Sequence, residues 1–209
     1  GVFAEHVSTP EKCLVPLPEG IDARLAVLAE PLACCVGAIG PENLGPGSNV
    51  LVFGCGPIGL LTIYAAARKG AHVTAIDPVA ARLEIAKKLG AAAVETDASK
   101  LPPAAANVAI DAAGFEATWR AAIDAVENGG SIVMVGLGNA EATFPMALLV
   151  RRSIRLRGQF AYSRAEFQEA IDILAEGVLD LSWLDDAPLS EGAQAFANLV
   201  DRPAERSEE

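Results

Sequence analysis

The sequence has 209 residues, of which 52% are hydrophobic, 21% charged and 5% aromatic, with a formal net charge of −11. That length admits one large domain or two small ones, and so negative a surface repels phosphate backbones and anionic membranes, which argues against nucleic-acid and lipid-surface partners. Cys13, Cys34, Cys35 and Cys55 show neither a C-x-x-C spacing nor the density of a disulfide scaffold, so a reducing, cytoplasmic setting is expected.

In chain order, residues 1–24 are punctuated by Pro10, Pro16, Pro18 and Gly20 and predict short β pieces. The apolar run that follows, AVLAEPLACCVGAIG (26–40), holds one carboxylate, Glu30, ahead of two adjacent cysteines. On a helix Cys34 and Cys35 point about 100° apart and cannot face one ion, so both read as core thiols. His6 and His72 have no partner at metal spacing. From Asn49 onward, apolar runs of four to six residues alternate with helical stretches: NVLVFG, a helix over 57–69, HVTAID, a helix over 79–89, AAVET, VAIDAAG, a helix over 116–127, SIVMVG, a short helix, then SIRLRGQF. That alternation predicts βαβ units in a parallel sheet covered on both faces, a doubly wound six-stranded α/β (Rossmann) fold. Gly70 and Gly90 sit where helices need C-caps. Ser163 and Glu166 have capping-box spacing, and a last helix is expected over 190–200.

One stretch carries chemistry. Gly54-Cys55-Gly56-Pro57-Ile58-Gly59 is a G-x-G-x-x-G that ends an apolar β run and opens a helix. Gly54 suits a tight turn, Gly56 admits a pyrophosphate to the backbone, and Gly59 permits close helix–strand packing. The helix N-terminus would then meet the phosphates, and Pro57 suits the first helical position. Asp77 ends the second run, where a carboxylate can accept both hydroxyls of an adenosine ribose. The expected ligand is a dinucleotide, NAD.

Taken together, AEPLACCVGAI, the glycine turn with its following helix, GGSIVMVGLG and IRLRGQFAYS resemble the medium-chain dehydrogenase/reductase superfamily, and within it the zinc-dependent alcohol and polyol branch that includes sorbitol and threonine dehydrogenases. The resemblance implies that Glu30 lies at the catalytic zinc, as a ligand or bonded to the zinc-bound water. It implies that Arg82 lies against the adenosine ribose, that Val135, Gly136 and Leu137 flank the nicotinamide, and that Gln159 and Phe160 close over it. Ala161 stands where sorbitol dehydrogenases carry an arginine, which weakens assignment to sorbitol. The other family zinc ligands belong to a GroES-like domain that these residues do not contain. The expected division is therefore a remnant of that domain at 1–24, the nucleotide domain at 25–181, and a return segment at 182–209. The implied activity is hydride transfer between a small alcohol or polyol and NAD, with zinc in the complete enzyme and a homodimer or homotetramer as the assembly. A zinc-free NADPH quinone or enoyl reductase and a non-catalytic NAD-binding module remain open as alternatives.

Overall fold

The computed structural model describes residues 4–201, with side chains through residue 198. Its centre is a six-stranded parallel sheet: β1 (Asn49–Phe53), β2 (His72–Ile76), β3 (Ala93–Glu95), β4 (Ala106–Asp111), β5 (Val126–Met134) and β6 (Arg155–Gly158), in the order β3-β2-β1-β4-β5-β6. This is the doubly wound order, with its switch point between β1 and β4. Every crossover carries its chain back along a sheet face, so all six carboxyl ends lie on one edge.

Strand β1 shows why the runs are uninterrupted. Val50 and Val52 join the apolar cluster on one face, while Leu51 and Phe53 join the cluster on the other. With both faces covered, neither register position can be polar. The first face is packed by α2 (Ala29–Ile39), α3 (Pro57–Arg68) and α7 (Arg164–Ala175), and the second by α5 (Glu116–Ala125) and α6 (Met146–Arg152). The remaining helices are α1 (Ala23–Ala26), α4 (Ala80–Lys88) and α8 (Gly192–Asp201). No helix of the described residues is long and apolar enough to cross a membrane.

Helix ends follow the sequence signals. Gly70 and Gly90 adopt φ of +83° and +108°. The Gly70 and Ala71 N–H groups donate to Ala67 and Ala66, and those of Gly90 and Ala91 to Lys87 and Ala86, both paired as a Schellman motif requires. Ser163 and Glu166 cap α7 reciprocally.

Two expectations are corrected. The β pieces expected in residues 1–24 are not present in residues 4–22, which hold a single 3-10 turn, Glu11–Cys13, and no strand. An extended segment becomes a strand only against a neighbour that completes its ladder, and three prolines remove donors from this one. It is instead strapped to α7 by the Arg164 guanidinium, which donates to the carbonyls of Lys12 and Leu14. The helix expected to run to residue 127 ends at Ala125, and Val126 already pairs with Ala106 in the sheet. The Arg152 side chain takes the Ile123 and Val126 carbonyls, and Gly129 turns the chain at φ +78°.

Candidate functional site

The glycine turn leaves β1 at Gly54, whose φ is +89° and whose N–H donates to the Ile76 carbonyl. A Cβ at Gly59 would lie 1.7 Å from the Gly54 carbonyl oxygen, so the first turn of α3 presses directly on the loop. Gly56 behaves in the opposite way: a Cβ there would meet no atom within 4 Å. It is the N-cap of α3, no side chain caps that end, and Pro57 occupies the first helical position. An uncapped helix start beside open space at a glycine leaves backbone N–H groups free to donate to an anionic ligand, a geometry suited to a phosphate.

Asp77 follows β2 and is only 2% exposed. Oδ2 accepts the Cys55 N–H at 2.8 Å and Oδ1 accepts the Val79 N–H at 2.9 Å. Arg82 Nη1 lies 3.5 Å from Oδ2. The carboxylate therefore holds the middle of the glycine turn, with the Arg82 guanidinium beside it. Cys55 itself is a buried thiol; burial, then the Asp77 charge, pushes it up to about 12.

On the same edge, beyond β5 and β6, lies a cleft of about 410 Å³. Val135, Gly136, Leu137, Gln159 and Phe160 all line it, together with residues that the sequence did not single out, chiefly Trp119 and Phe144. Leu137 and Phe160 are 84% and 87% exposed, so two large apolar side chains stand open at the cleft. Gln159 is fixed at both ends: Oε1 accepts from Arg157 at 2.6 Å and Nε2 donates to the Ala161 carbonyl at 3.0 Å. Arg157 is in turn anchored to Glu42 and the Ala38 carbonyl. Ala161 adopts φ +56°, a left-handed conformation unusual for alanine.

Glu30 is the second residue of α2, exposed, where the helix dipole favours a carboxylate. It does not line the cleft. It shares a helix face with Gly37, whose Cβ position abuts Gln159 and Glu166, placing Glu30 roughly 10 Å along the axis from that contact. Burial, followed by the Glu30 charge, raises both the Cys34 thiol and the Tyr162 hydroxyl. Cys35 faces inward, donates to the Pro31 and Ile58 carbonyls and is raised to about 12 by burial, as a core thiol is. Among the described residues, no cluster of three His, Cys, Asp or Glu side chains is placed to hold a metal ion. A zinc site does not fit these residues alone, whereas a dinucleotide fits the turn, Asp77 and the cleft.

One residue missed by sequence reasoning is Asp111, the last residue of β4, which is fully buried. Its Oδ2 accepts the Gly114 N–H and the Trp119 Nε1–H, at 2.8 Å and 2.7 Å, while Oδ1 has no partner. Burial raises its pKa against those donors. An acid ending an apolar strand at the carboxyl edge, as Asp77 also does, was the available signal.

The profile of the zinc-binding dehydrogenases matches residues 57–176. D-xylulose reductase A of Aspergillus oryzae is 32% identical over 94% of the chain and 59% of its own length. The chain spans 55% to 60% of the length of such curated relatives. Among solved structures, L-idonate 5-dehydrogenase of Escherichia coli superposes with a TM-score of 0.82 at 29% identity, over 90% of this chain and 57% of that one. A Sinorhizobium meliloti 1021 protein assigned to the zinc-binding dehydrogenases, bound to NADP, superposes with a TM-score of 0.87 at 27% identity, over 95% and 62%. With more than half of its residues matched by the family profile, the chain belongs to the zinc-binding dehydrogenase family.

Proposed function

We propose that the chain is the NAD-binding portion of a zinc-type alcohol or polyol dehydrogenase that transfers hydride between its substrate and NAD. One observation carries this reading: the open cradle at Gly56, the buried Asp77 and the cleft of Val135, Leu137 and Phe160 lie along one carboxyl edge of the sheet. Ligands of open α/β sheets bind at that edge.

NAD supplies the hydride acceptor at its nicotinamide ring. The pyrophosphate would lie on the Gly56 backbone and the Ile58 N–H, and Asp77 with Arg82 would take the adenosine ribose. Val135, Gly136, Leu137, Gln159 and Phe160 hold the ring against water. Glu30 stands on the α2 face that leads to Gln159, as a metal-site carboxylate would in the complete enzyme. A polyol substrate is supported by the similarity to a xylulose reductase and an idonate dehydrogenase. Residues 25–181 form the nucleotide domain, flanked by segments 1–24 and 182–209 that belong with a catalytic domain; the setting is cytoplasmic. In this reading β6, at the end of the sheet order, pairs across a twofold axis in a homodimer or homotetramer. A strictly monomeric mass in light scattering would contradict that assembly.

Calorimetric titration with NADH and NADPH tests the cofactor. A buried carboxylate beside the ribose repels a 2′-phosphate, and such like-charge contact costs several kcal/mol, giving a preference for NADH on the order of 100-fold. Equal or tighter NADPH binding would mean that Asp77 does not face the ribose, and the NAD assignment would fail with it.

A further inference from the structure

We propose that Asp111 is a positioning residue for the nicotinamide-side cleft, acting through Trp119 and the loop after β5. This rests on the dinucleotide reading above and extends it to a residue that touches no ligand.

The bonding of Asp111 is one-sided. Its carbonyl accepts the Val135 and Gly136 N–H groups, at 2.8 Å and 2.9 Å. Its carboxylate accepts from Gly114 and from the Trp119 indole. Trp119 stacks on Phe144 with ring centroids 5.6 Å apart, and both rings line the cleft. All four donors thus belong either to the cleft lining or to the loop that supports it.

The loops after β4 and β5 also interlock without side chains. A Cβ at Gly114 would fall 2.3 Å from the Gly136 carbonyl carbon, and one at Gly136 would fall 2.3 Å from the Gly114 nitrogen. Gly138 is pressed against the Phe115 ring and the Ala113 carbonyl. Shifting Gly114 therefore shifts Val135, Gly136 and Leu137. Asp111 holds the two free sides of this junction, the Gly114 N–H and the Trp119 ring.

The orphaned oxygen favours positioning over bulk stability. A buried carboxyl with one oxygen unpaired is a costly way to fill a core. One oxygen of this short side chain reaches both the Gly114 N–H and the Trp119 indole.

NADH and ADP-ribose, which lacks the nicotinamide, separate this role from general stability. Removing the shared acceptor in Asp111→Ala should weaken NADH about tenfold or more, the effect of losing one charge-assisted hydrogen bond. ADP-ribose affinity should stay within about twofold, and the emission gain of bound NADH should fall, since the adenosine half of the site makes no bond to Asp111. Asp111→Asn retains an oxygen acceptor and should restore NADH affinity to within about threefold of the unmodified chain. Should Asp111→Ala not fold, Trp119→Phe keeps the ring against Phe144, removes the indole donor and should show the same split at several-fold. Equal losses of NADH and ADP-ribose, or NADH binding unaltered in both variants, would overturn the role of Asp111. An unmodified chain that binds neither ligand would overturn the dinucleotide reading itself.

Discussion

Gly56→Ala separates the phosphate cradle from the fold. Gly56 has φ −71° and ψ −176°, which alanine adopts without strain, and its added methyl would meet no atom within 4 Å. A glycine replaced at such a site stabilises a chain by about 0.4–1 kcal/mol through the unfolded state. Thermal unfolding should therefore be unchanged or slightly raised. If a pyrophosphate lies against this backbone, the methyl occupies its place. Overpacking of that size costs about 1–3 kcal/mol, which converts to about 5- to 150-fold in the NADH dissociation constant. Gly59→Ala makes the contrast, because its Cβ would meet the Gly54 carbonyl oxygen at 1.7 Å. That atom is backbone and cannot swing aside, so Gly59→Ala should lower the melting temperature as well as binding. Scanning calorimetry and NADH titration on both variants provide the assay. NADH bound by Gly56→Ala as tightly as by the unmodified chain would show that the pyrophosphate does not cross this turn.

The raised Asp111 carboxyl gives a pH signature: its folded pKa lies above its ordinary value of 3.8, so the unfolded chain ionises first and Asp111 subtracts stability as pH rises through that window. Glu95, Asp97, Glu116 and Asp180 are shifted downward and act in the opposite sense, so the measurable quantity is the stability difference between Asp111→Asn and the unmodified chain, which should grow in the variant's favour from pH 4 upward and then level off; a flat difference would contradict it. Thiol labelling of the native chain at pH 8 should modify exposed Cys13 first and Cys34 more slowly, and should spare Cys35 and Cys55, both buried and raised to about 12; early alkylation of Cys55, read by mass spectrometry, would mean that the glycine turn opens in solution.

The sheet was legible because each of its signals is local. Uninterrupted apolar runs such as VLVF mark strands buried on both faces, and Gly70, Gly90 and the Ser163–Glu166 pair terminate or start helices through bonds within four or five residues. Asp77 and the glycine turn were legible for the same reason. The wall of the cleft was not. Trp119, Ala122 and Ile123 are buried at helical spacing, a pattern that any helix packed on a sheet shows, and nothing in the sequence joins Trp119 to Phe144, 25 residues later. The interlock of Gly114 with Gly136 and Gly138 was equally hidden, since it depends on how two crossovers meet. The N-terminal segment misled in the other direction. Its proline spacing is compatible with extended backbone, but a strand is a property of two segments, and residues 4–22 find no ladder partner among the described residues.

The position of Asp77 changes what its substitution does. Seen only as a ribose acceptor, it could be exchanged for serine or alanine to narrow the preference between NAD and NADP. In the structure its two oxygens separately satisfy the Cys55 N–H, inside the phosphate turn, and the Val79 N–H, ahead of α4. No neutral side chain of this size presents two acceptors. Asparagine would turn an amide donor toward one of those N–H groups, and alanine would leave both unpaired. An unsatisfied buried donor costs about 1–3 kcal/mol, which in a chain of this length is about 2–12 °C in melting temperature. Because the Cys55 N–H lies in the turn, the same loss loosens the cradle at Gly56 that either dinucleotide must use. Asp77→Asn and Asp77→Ala should therefore melt lower and bind both NADH and NADPH more weakly, without NADPH overtaking NADH. A variant at Asp77 that kept its melting temperature and bound NADPH more tightly than the unmodified chain would show that the turn stands without the carboxylate, leaving discrimination as its only role.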